Sequence, residues 1–358
     1  MGICLLMWAS PSYAQDLTAE DYEHATQFLW FNTRDKVFRD NVRPVWLEDG
    51  RFWYSVSTAS GDEYVLIDPK RKRKTTASSR AELLGEENDQ PANDSRIGRY
   101  EVPSPDGKKV VFIREWNLWM RNLETGEETQ LTTDGTENFG YATDNAGWRK
   151  SDKPVVLWSP DSRKIATFQQ DQRHVSDMYL VSTKVGAPEL QAWKYPLPQD
   201  EDIIRIHRVI IEVDDPKVIR LKMDPDPRRG TQCDDISCSG AFDDNQWNAD
   251  ASELMFVSTS RDHKVAQVRI ANAETGMVRD VFTEKVDTQY ESGQGTINWH
   301  WLPESNELIW YSERSDWGHL YMYDATSGEV KYPITSGNYV VTEMEKVDED
   351  DRMIYFYA

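Results

Sequence analysis

Hydrophobic and polar positions alternate along this chain in short runs separated by polar turns. The clearest unit has an apolar run at 301–311, an aromatic run at 319–323 and, after a Thr-Ser-Gly-Glu turn, a third run at 331–335. Short alternating runs between turn residues predict β-strands. Similar units span 103–132 and 247–283. The pattern therefore predicts an all-β protein built from a repeated unit of several strands.

The spacing of this unit indicates an architecture. Copies start at positions 46, 103, 158, 247, 301 and 346, which are 57, 55, 89, 54 and 45 residues apart. Units of this size with short aromatic strands and Gly or Pro-Asp turns are typical of a β-propeller, whose four-stranded blades bury their faces against one another. We expect the interval of 89 residues to hold an extra unit, with strands at 208–213 and 217–223. About seven units are then readable between 46 and 358, the last of them incomplete.

The segment before the repeat resembles a targeting signal. An apolar stretch at 3–9 is followed by small residues at Ser12 and Ala14, as at the cleavage site of a secretory signal peptide, although no Lys or Arg precedes the stretch. This pattern predicts a signal peptide over 1–14 and a mature chain that starts near Gln15, in the periplasm or outside the cell. A buried apolar N-terminus is the alternative.

A short helix is predicted in the lead-in segment 15–45. Thr18 is suited to be its N-cap, because Asp21 follows three residues later and completes a capping box. The basic run at 70–74 is expected at a solvated hairpin edge, where charged side chains block the addition of another strand.

Three cysteines are present, and Cys4 would leave with the expected signal peptide. Cys233 and Cys238 lie in a segment rich in Gly, Ser and Asp. In an oxidising compartment these two residues are candidates for a small local disulfide. Two free thiols are the alternative. A zinc site would need two further ligands close by, and this segment contains none.

Charge and composition exclude several functional classes. The 62 Asp and Glu residues against 41 Lys and Arg give a net charge of −21, which argues against a general nucleic-acid binder and against docking on an anionic membrane. No apolar run approaches the roughly 20 residues of a membrane span. The 14 Trp, 16 Tyr and 11 Phe residues argue against a disordered chain.

The sequence shows no catalytic apparatus of its own. It has no Gly-x-Ser-x-Gly motif, no Gly-rich phosphate loop and no metal-ligand spacing among its six His residues. We therefore expect no metal and no cofactor. His319 starts a strand, and a packed or hydrogen-bonded role is expected for it rather than a catalytic one.

Several segments resemble the N-terminal region of the dipeptidyl peptidase IV family. The most specific is Ile-Trp-Tyr-Ser-Glu-Arg-Ser-Asp-Trp-Gly-His-Leu-Tyr-Met-Tyr at 309–323, with supporting matches at 18–22, 104–107, 114–118 and 158–166. The resemblance implies an eight-bladed propeller that precedes and lids an α/β-hydrolase domain, which carries the catalytic Ser, Asp and His. It further implies that this chain is a fragment: the propeller is incomplete at its C-terminal end, and no catalytic residue is present.

The same resemblance implies a function and partners. The full-length protein is expected to be a secreted serine peptidase of the prolyl oligopeptidase type, whose propeller binds peptide substrates and gates their access. The expected partners are the peptide and the hydrolase domain, and a second copy of the chain is a possible partner. A non-catalytic periplasmic binding propeller of the TolB type is the alternative. The reading frame beyond residue 358 would separate the two.

One segment departs from the family. Dipeptidyl aminopeptidases of this family hold the free N-terminus of a substrate with paired glutamates, in an Asp-Trp-x-Tyr-Glu-Glu-Glu segment that precedes a Trp-Ser-Pro turn. Two carboxylates suit that task because they accept hydrogen bonds from an ammonium group and neutralise it. In this chain residues 144–152 stand in the corresponding place, with Arg149 and Lys150 and without a glutamate pair. Release of dipeptides from a free N-terminus is therefore in doubt.

This comparison also selects the candidate substrate-binding residues. Asp144 is the nearby acid that matches the family's segment, and Arg149 would repel an ammonium group and attract a carbonyl or carboxylate. Arg114 could reach a peptide carbonyl, but a salt bridge at the end of a strand is the favoured alternative.

Overall fold

The computed structural model describes residues 17–33, 36–40, 42–85, 96–144, 151–228, 237, 239–292 and 296–358. The chain divides into two compact units, Met1–Ala92 and Asn93–Ala358.

The first unit combines short helices with one antiparallel sheet. Its helices are α1 (Ala19–Thr26), α2 (Trp30–Thr33) and α3 (Arg80–Leu84). Its strands form sheet 1 in the order β1 (Val45–Trp46), β2 (Phe52–Thr58), β3 (Gly61–Asp68) and β4 (Arg73–Ala77).

The predicted capping box at the start of α1 is confirmed. The Thr18 hydroxyl accepts a hydrogen bond from the Asp21 amide, and the Asp21 carboxylate accepts one from the Thr18 amide at 2.8 Å. The basic run at 70–74 is exposed, as expected, and lies in the β3–β4 turn and at the start of β4.

The second unit is built from further antiparallel sheets. Sheet 2 has the order β5 (Val102–Pro103), β6 (Lys109–Arg114), β7 (Asn117–Asn122) and β8 (Glu128–Gln130). The main path of sheet 3 is β10 (Leu157–Trp158), β11 (Lys164–Asp171), β14 (Arg205–Glu212) and β15 (Lys217–Arg220), while β9 (Phe139–Tyr141) pairs with β11 and β16 (Asp226–Pro227) pairs with β14. A separate hairpin joins β12 (Asp177–Ser182) to β13 (Glu189–Lys194).

The remaining strands continue this series. Sheet 4 has the order β17 (Asn245–Trp247), β18 (Glu253–Thr259), β19 (Val265–Asn272) and β20 (Val278–Lys285). Sheet 5 has the order β21 (Trp299–Leu302), β22 (Glu307–Ser312), β23 (His319–Asp324) and β24 (Val330–Pro333), with a 3-10 turn at Pro303–Ser305. The last pair is β25 (Glu343–Asp348) with β26 (Met353–Tyr357).

The repeated Ser-Pro-Asp turns form because one serine satisfies several polar groups at once. The Ser104 hydroxyl donates to the Asp106 carboxylate at 2.6 Å and accepts from the Lys109 amide at 3.0 Å. Ser159 makes the same bonds to Asp161 and Lys164, at 2.6 and 2.8 Å. Each turn therefore joins the first strand of a sheet to the second with its buried polar groups paired.

Hydrophobic side chains fill the space between successive sheets. One cluster joins Val111 and Met120 of sheet 2 to Ile165 and Ile211 of sheet 3. Further clusters lie between sheets 3 and 4, between sheets 4 and 5, and between sheet 5 and the β25–β26 pair. Sheets that bury their faces against their neighbours in chain order are propeller blades, so the predicted β-propeller is confirmed.

Glycine turns let neighbouring sheets approach closely. Gly276 and Gly328 have φ values of +68° and +72°, in the left-handed region that favours glycine. A Cβ atom at either residue would overlap a backbone carbonyl of the preceding sheet, that of Arg220 or Val281 respectively. The recurrent Thr-Gly and Ser-Gly turns of the sequence are therefore inter-sheet contacts as well as hairpin turns.

The extra unit predicted in the interval of 89 residues is wrong. Its expected strands exist as β14 and β15, but both belong to sheet 3 and continue directly from β11. The additional length is partly the β12–β13 hairpin, which is inserted between the second and third strands of the sheet's main path.

Candidate functional site

The candidate site lies at the end of sheet 3, where the chain leaves β9. Asp144 and Ser151 form an isolated antiparallel bridge, in which the Ser151 amide donates to the Asp144 carbonyl at 3.0 Å. This bridge joins the two ends of segment 145–150. Arg149 and Lys150 belong to that segment and lie outside the described residues, so the role predicted for Arg149 stays a prediction.

A buried ion pair anchors this bridge to the sheet. The Asp144 carboxylate lies 2.8 Å from the Arg228 guanidinium, and the two side chains are 5% and 8% exposed. Arg228 also donates to the Gln170 side-chain oxygen at 3.0 Å. Because a buried charge is tolerated only with well-placed partners, this arrangement ties the ends of β9, β11 and β16 together.

Arg228 stands at the base of a second segment, 229–236. Its amide donates to the Ile204 carbonyl at 2.9 Å, which fixes the chain just before that segment begins. Cys233 and Cys238 lie outside the described residues, so their disulfide stays a prediction. The Asp144–Arg228 pair therefore holds the bases of two segments that contain residues selected from the sequence.

A second buried pair fixes β16, from which Arg228 follows. The Arg208 guanidinium, with its side chain 1% exposed, lies 2.7 Å from the Asp226 carboxylate. It also donates to the Asn245 side chain at 3.2 Å and to the Val257 carbonyl at 3.1 Å. The Ser258 hydroxyl donates to Asp226 at 2.6 Å. Since Asn245, Val257 and Ser258 belong to sheet 4, this network binds β14 and β16 to the next blade.

Arg114 is the last residue of β6 and forms the strand-end salt bridge. Its guanidinium makes two hydrogen bonds to the Glu128 carboxylate, at 2.8 and 3.1 Å, and lies over the rings of Phe112 and Trp119. The hydrogen bonds that Arg114 donates to Glu128 raise the pKa of Arg114 and lower the pKa of Glu128. Contact with a peptide carbonyl stays a prediction.

One backbone contact places Arg114 and Asp144 in neighbouring parts of the fold. The Tyr141 amide donates at 2.9 Å to the carbonyl of Trp116, in the turn that follows β6. Asp144 follows Tyr141 by three positions in the sequence. The side chains of the two predicted residues have separate partners, Glu128 for Arg114 and Arg228 for Asp144. Arg228 and Gln170 are components of the site that sequence reasoning missed.

The other residue types considered for chemistry are His319 and possible metal ligands. His319 is buried, and its ring nitrogens lie 3.0 Å from the Thr335 hydroxyl and 3.0 Å from the Gly337 carbonyl, which confirms its predicted role. In the described ranges no cluster of three or more His, Cys, Asp or Glu side chains could hold a metal ion. None of the helices described has the length and apolar character needed to cross a membrane.

The comparison with protein families decides the family. The model of the dipeptidyl peptidase IV N-terminal region matches residues 59–358. The chain belongs to this family. Dipeptidyl peptidase IV-type relatives are also found among curated proteins and solved structures.

The similarity to individual members is moderate. The chain is 24% identical over 296 residues to "Probable dipeptidyl peptidase 4" of Emericella nidulans, which covers 75% of this chain and 35% of the relative. It is 30% identical over 125 residues to "Probable dipeptidyl-aminopeptidase B" of Aspergillus fumigatus, covering 31% of this chain and 14% of the relative. The crystal structure of dipeptidyl peptidase 4 from Porphyromonas gingivalis matches with a TM-score of 0.56 and 18% identity, over 87% of this chain and 39% of that one. The chain therefore spans about two fifths or less of these dipeptidyl peptidase IV relatives.

Proposed function

We propose that this chain is the substrate-binding and gating propeller of an exported serine peptidase that cleaves peptides. The observation that carries the proposal is the match of the dipeptidyl peptidase IV N-terminal region over residues 59–358, together with the partial coverage of relatives named as dipeptidyl peptidases. The catalytic Ser, Asp and His would belong to a hydrolase domain in the portion of the relatives that this chain does not match.

The site at the end of sheet 3 supports a specific form of this function. Asp144 is buried and paired with Arg228, so its charge is already neutralised and serves the fold. Arg149 and Lys150 would repel a substrate ammonium group. We therefore propose that the enzyme does not depend on a free N-terminus as relatives with a glutamate pair do, and that it accepts peptides whose amine is blocked.

The peptidase proposal is tested with a fluorophosphonate probe, which labels activated serines. We expect stoichiometric labelling of the full-length protein, together with hydrolysis of chromogenic prolyl or alanyl peptides. The matched control is residues 15–358 alone, which should be neither labelled nor active because they contain no nucleophile elbow. Labelling of this control, or an unlabelled and inactive full-length protein, would contradict the proposal; the latter result would favour a binding propeller of the TolB type.

Export and self-association are the remaining parts of the proposal. Export predicts that the mature protein begins near Gln15, which N-terminal sequencing of the protein from an extracytoplasmic fraction would check. A second copy of the chain stays a predicted partner.

A further inference from the structure

A cavity of about 580 Å³ lies in the second unit between sheets 2 and 3. One wall is formed by the end of β8 and the residues after it, and the opposite wall by the β14–β15 turn and β15. Leu131, Pro216 and Val218 give the cavity an apolar surface, while Asp134, Tyr141 and Arg220 give it a polar one. The volume lies in the range of small-molecule sites, which combine apolar walls with a few placed polar groups.

The polar wall presents two opposite charges side by side. The Arg220 guanidinium lies 3.5 Å from the Asp134 carboxylate, and these side chains are 41% and 59% exposed. The Tyr141 hydroxyl donates to the other Asp134 oxygen at 2.7 Å. Burial, followed by this hydrogen bond, raises the pKa of Tyr141, so the hydroxyl stays protonated and keeps the carboxylate in place.

The guanidinium of Arg220 keeps part of its binding capacity. Among the described residues, its hydrogen bonds to Asp134, Tyr141 and the side-chain oxygen of Gln169 all use the same terminal nitrogen. Nε and the other terminal nitrogen donate to none of the residues that the structure describes. A hydrogen bond from a guanidinium N–H group to a carboxylate is charge-assisted, and is therefore shorter and stronger than a bond between neutral groups.

We propose that this cavity binds a free α-amino acid with an apolar side chain. Its carboxylate would accept a hydrogen bond from the unused terminal nitrogen of Arg220, its ammonium group would lie against Asp134, and its side chain would cover Leu131, Pro216 and Val218. An α-amino acid carries its two charges on one carbon atom, which fits protein charges only 3.5 Å apart. A simple anion would meet Asp134 and a simple cation would meet Arg220, so neither satisfies both groups. The inference does not rest on the peptidase proposal.

The test is titration of the full-length protein with leucine, in which binding is measured by calorimetry and by saturation-transfer NMR. We expect saturable binding of one leucine per chain. N-acetyl-leucine and leucinamide, which each lack one of the two charges, should bind at least about tenfold more weakly, since a hydrogen bond to a charged group typically contributes that factor. Equal binding of the three compounds, or no saturable binding of leucine at millimolar concentration, would overturn the proposal.

Two variants assign the charges separately. Asp134→Asn keeps an acceptor for Tyr141 and should weaken leucine binding without weakening that of N-acetyl-leucine. Arg220→Met removes both the charge and the donors, and should weaken the binding of both compounds. Lys217→Gln is the matched control, because Lys217 lies on the same strand in an exposed ion pair with Glu212. This variant should bind leucine as the wild type does. Loss of binding in this control, or unchanged binding in both other variants, would refute the assignment.

Discussion

Replacing Asp144 with alanine tests whether this residue serves the fold or the substrate. The change leaves the Arg228 guanidinium, 8% exposed, without the carboxylate that lies 2.8 Å away. Gln170 also contacts Arg228, but it is neutral and cannot compensate a charge. Removing one partner of a buried ion pair costs about 3–5 kcal/mol, because the remaining charge stays buried and has lost that carboxylate. We expect a loss of this size in the free energy of unfolding.

The assay is equilibrium unfolding in urea, followed by tryptophan fluorescence. Glu128→Ala is the matched control: it also removes a carboxylate from an arginine, but the Arg114–Glu128 pair is 46% and 36% exposed and solvent screens it, so little change is expected. In the double variant Asp144→Ala/Arg228→Met the buried charge is gone, and much of the loss should be recovered.

The reasoning fails if Asp144→Ala unfolds like the wild type. In that case Asp144 would be available for a substrate. The kinetic signature of that role is a raised KM with unchanged stability, which is the reverse of what a structural ion pair produces.

Two further predictions concern sheet 5. Burial raises the pKa of Glu307, but hydrogen bonds from Lys331, Arg352 and Ser305 outweigh burial and hold this pKa below its usual value. The ionised carboxylate therefore stabilises the fold fully above the unfolded-state pKa of about 4.3. This stabilisation is lost as the pH falls through the folded-state pKa. Glu307→Gln should therefore lower the urea midpoint at neutral pH and have much less effect near pH 3, and an equal effect at both would contradict this account. A Cβ atom at Gly318 would overlap the hydroxyl of buried Tyr311, so Gly318→Ala should cost about 1–3 kcal/mol in the same assay. Adding Tyr311→Phe should recover part of this loss, and no recovery would show that the hydroxyl is not the source of the strain.

The arrangement of the blades could be predicted from the sequence because its signals are local. Ser104 and Ser159 each make their turn with residues at most five positions away, so the Ser-Pro-Asp pattern marks the start of a sheet without knowledge of distant contacts. The strands β14 and β15 were also readable. Their assignment to an extra blade was wrong because a strand's partner depends on long-range pairing, and the β12–β13 hairpin separates β14 from β11 in the sequence.

The candidate site was less accessible to prediction for the same reason. The bidentate partner of Arg114 is 14 residues away, across the hairpin pairs of one sheet, and a strand-end salt bridge could be expected there. The partner of Asp144 is 84 residues away and belongs to no recognisable motif. The cavity beside Arg220 likewise depends on Asp134, 86 residues distant, and nothing in the local sequence of either residue indicates that they meet.

The proposed acceptance of blocked substrates is tested most directly with one peptide in two forms. The measurement is kcat/KM of the full-length enzyme on the peptide with a free N-terminus and with an acetylated one, in the wild type and in Arg149→Glu. We expect the wild type to cleave both forms with comparable kcat/KM, and Arg149→Glu to favour the free amine, because the new carboxylate would attract an ammonium group. If acetylation abolishes turnover by the wild type, the enzyme holds the amine with an acidic anchor elsewhere, and the substrate-binding role proposed for this segment is wrong.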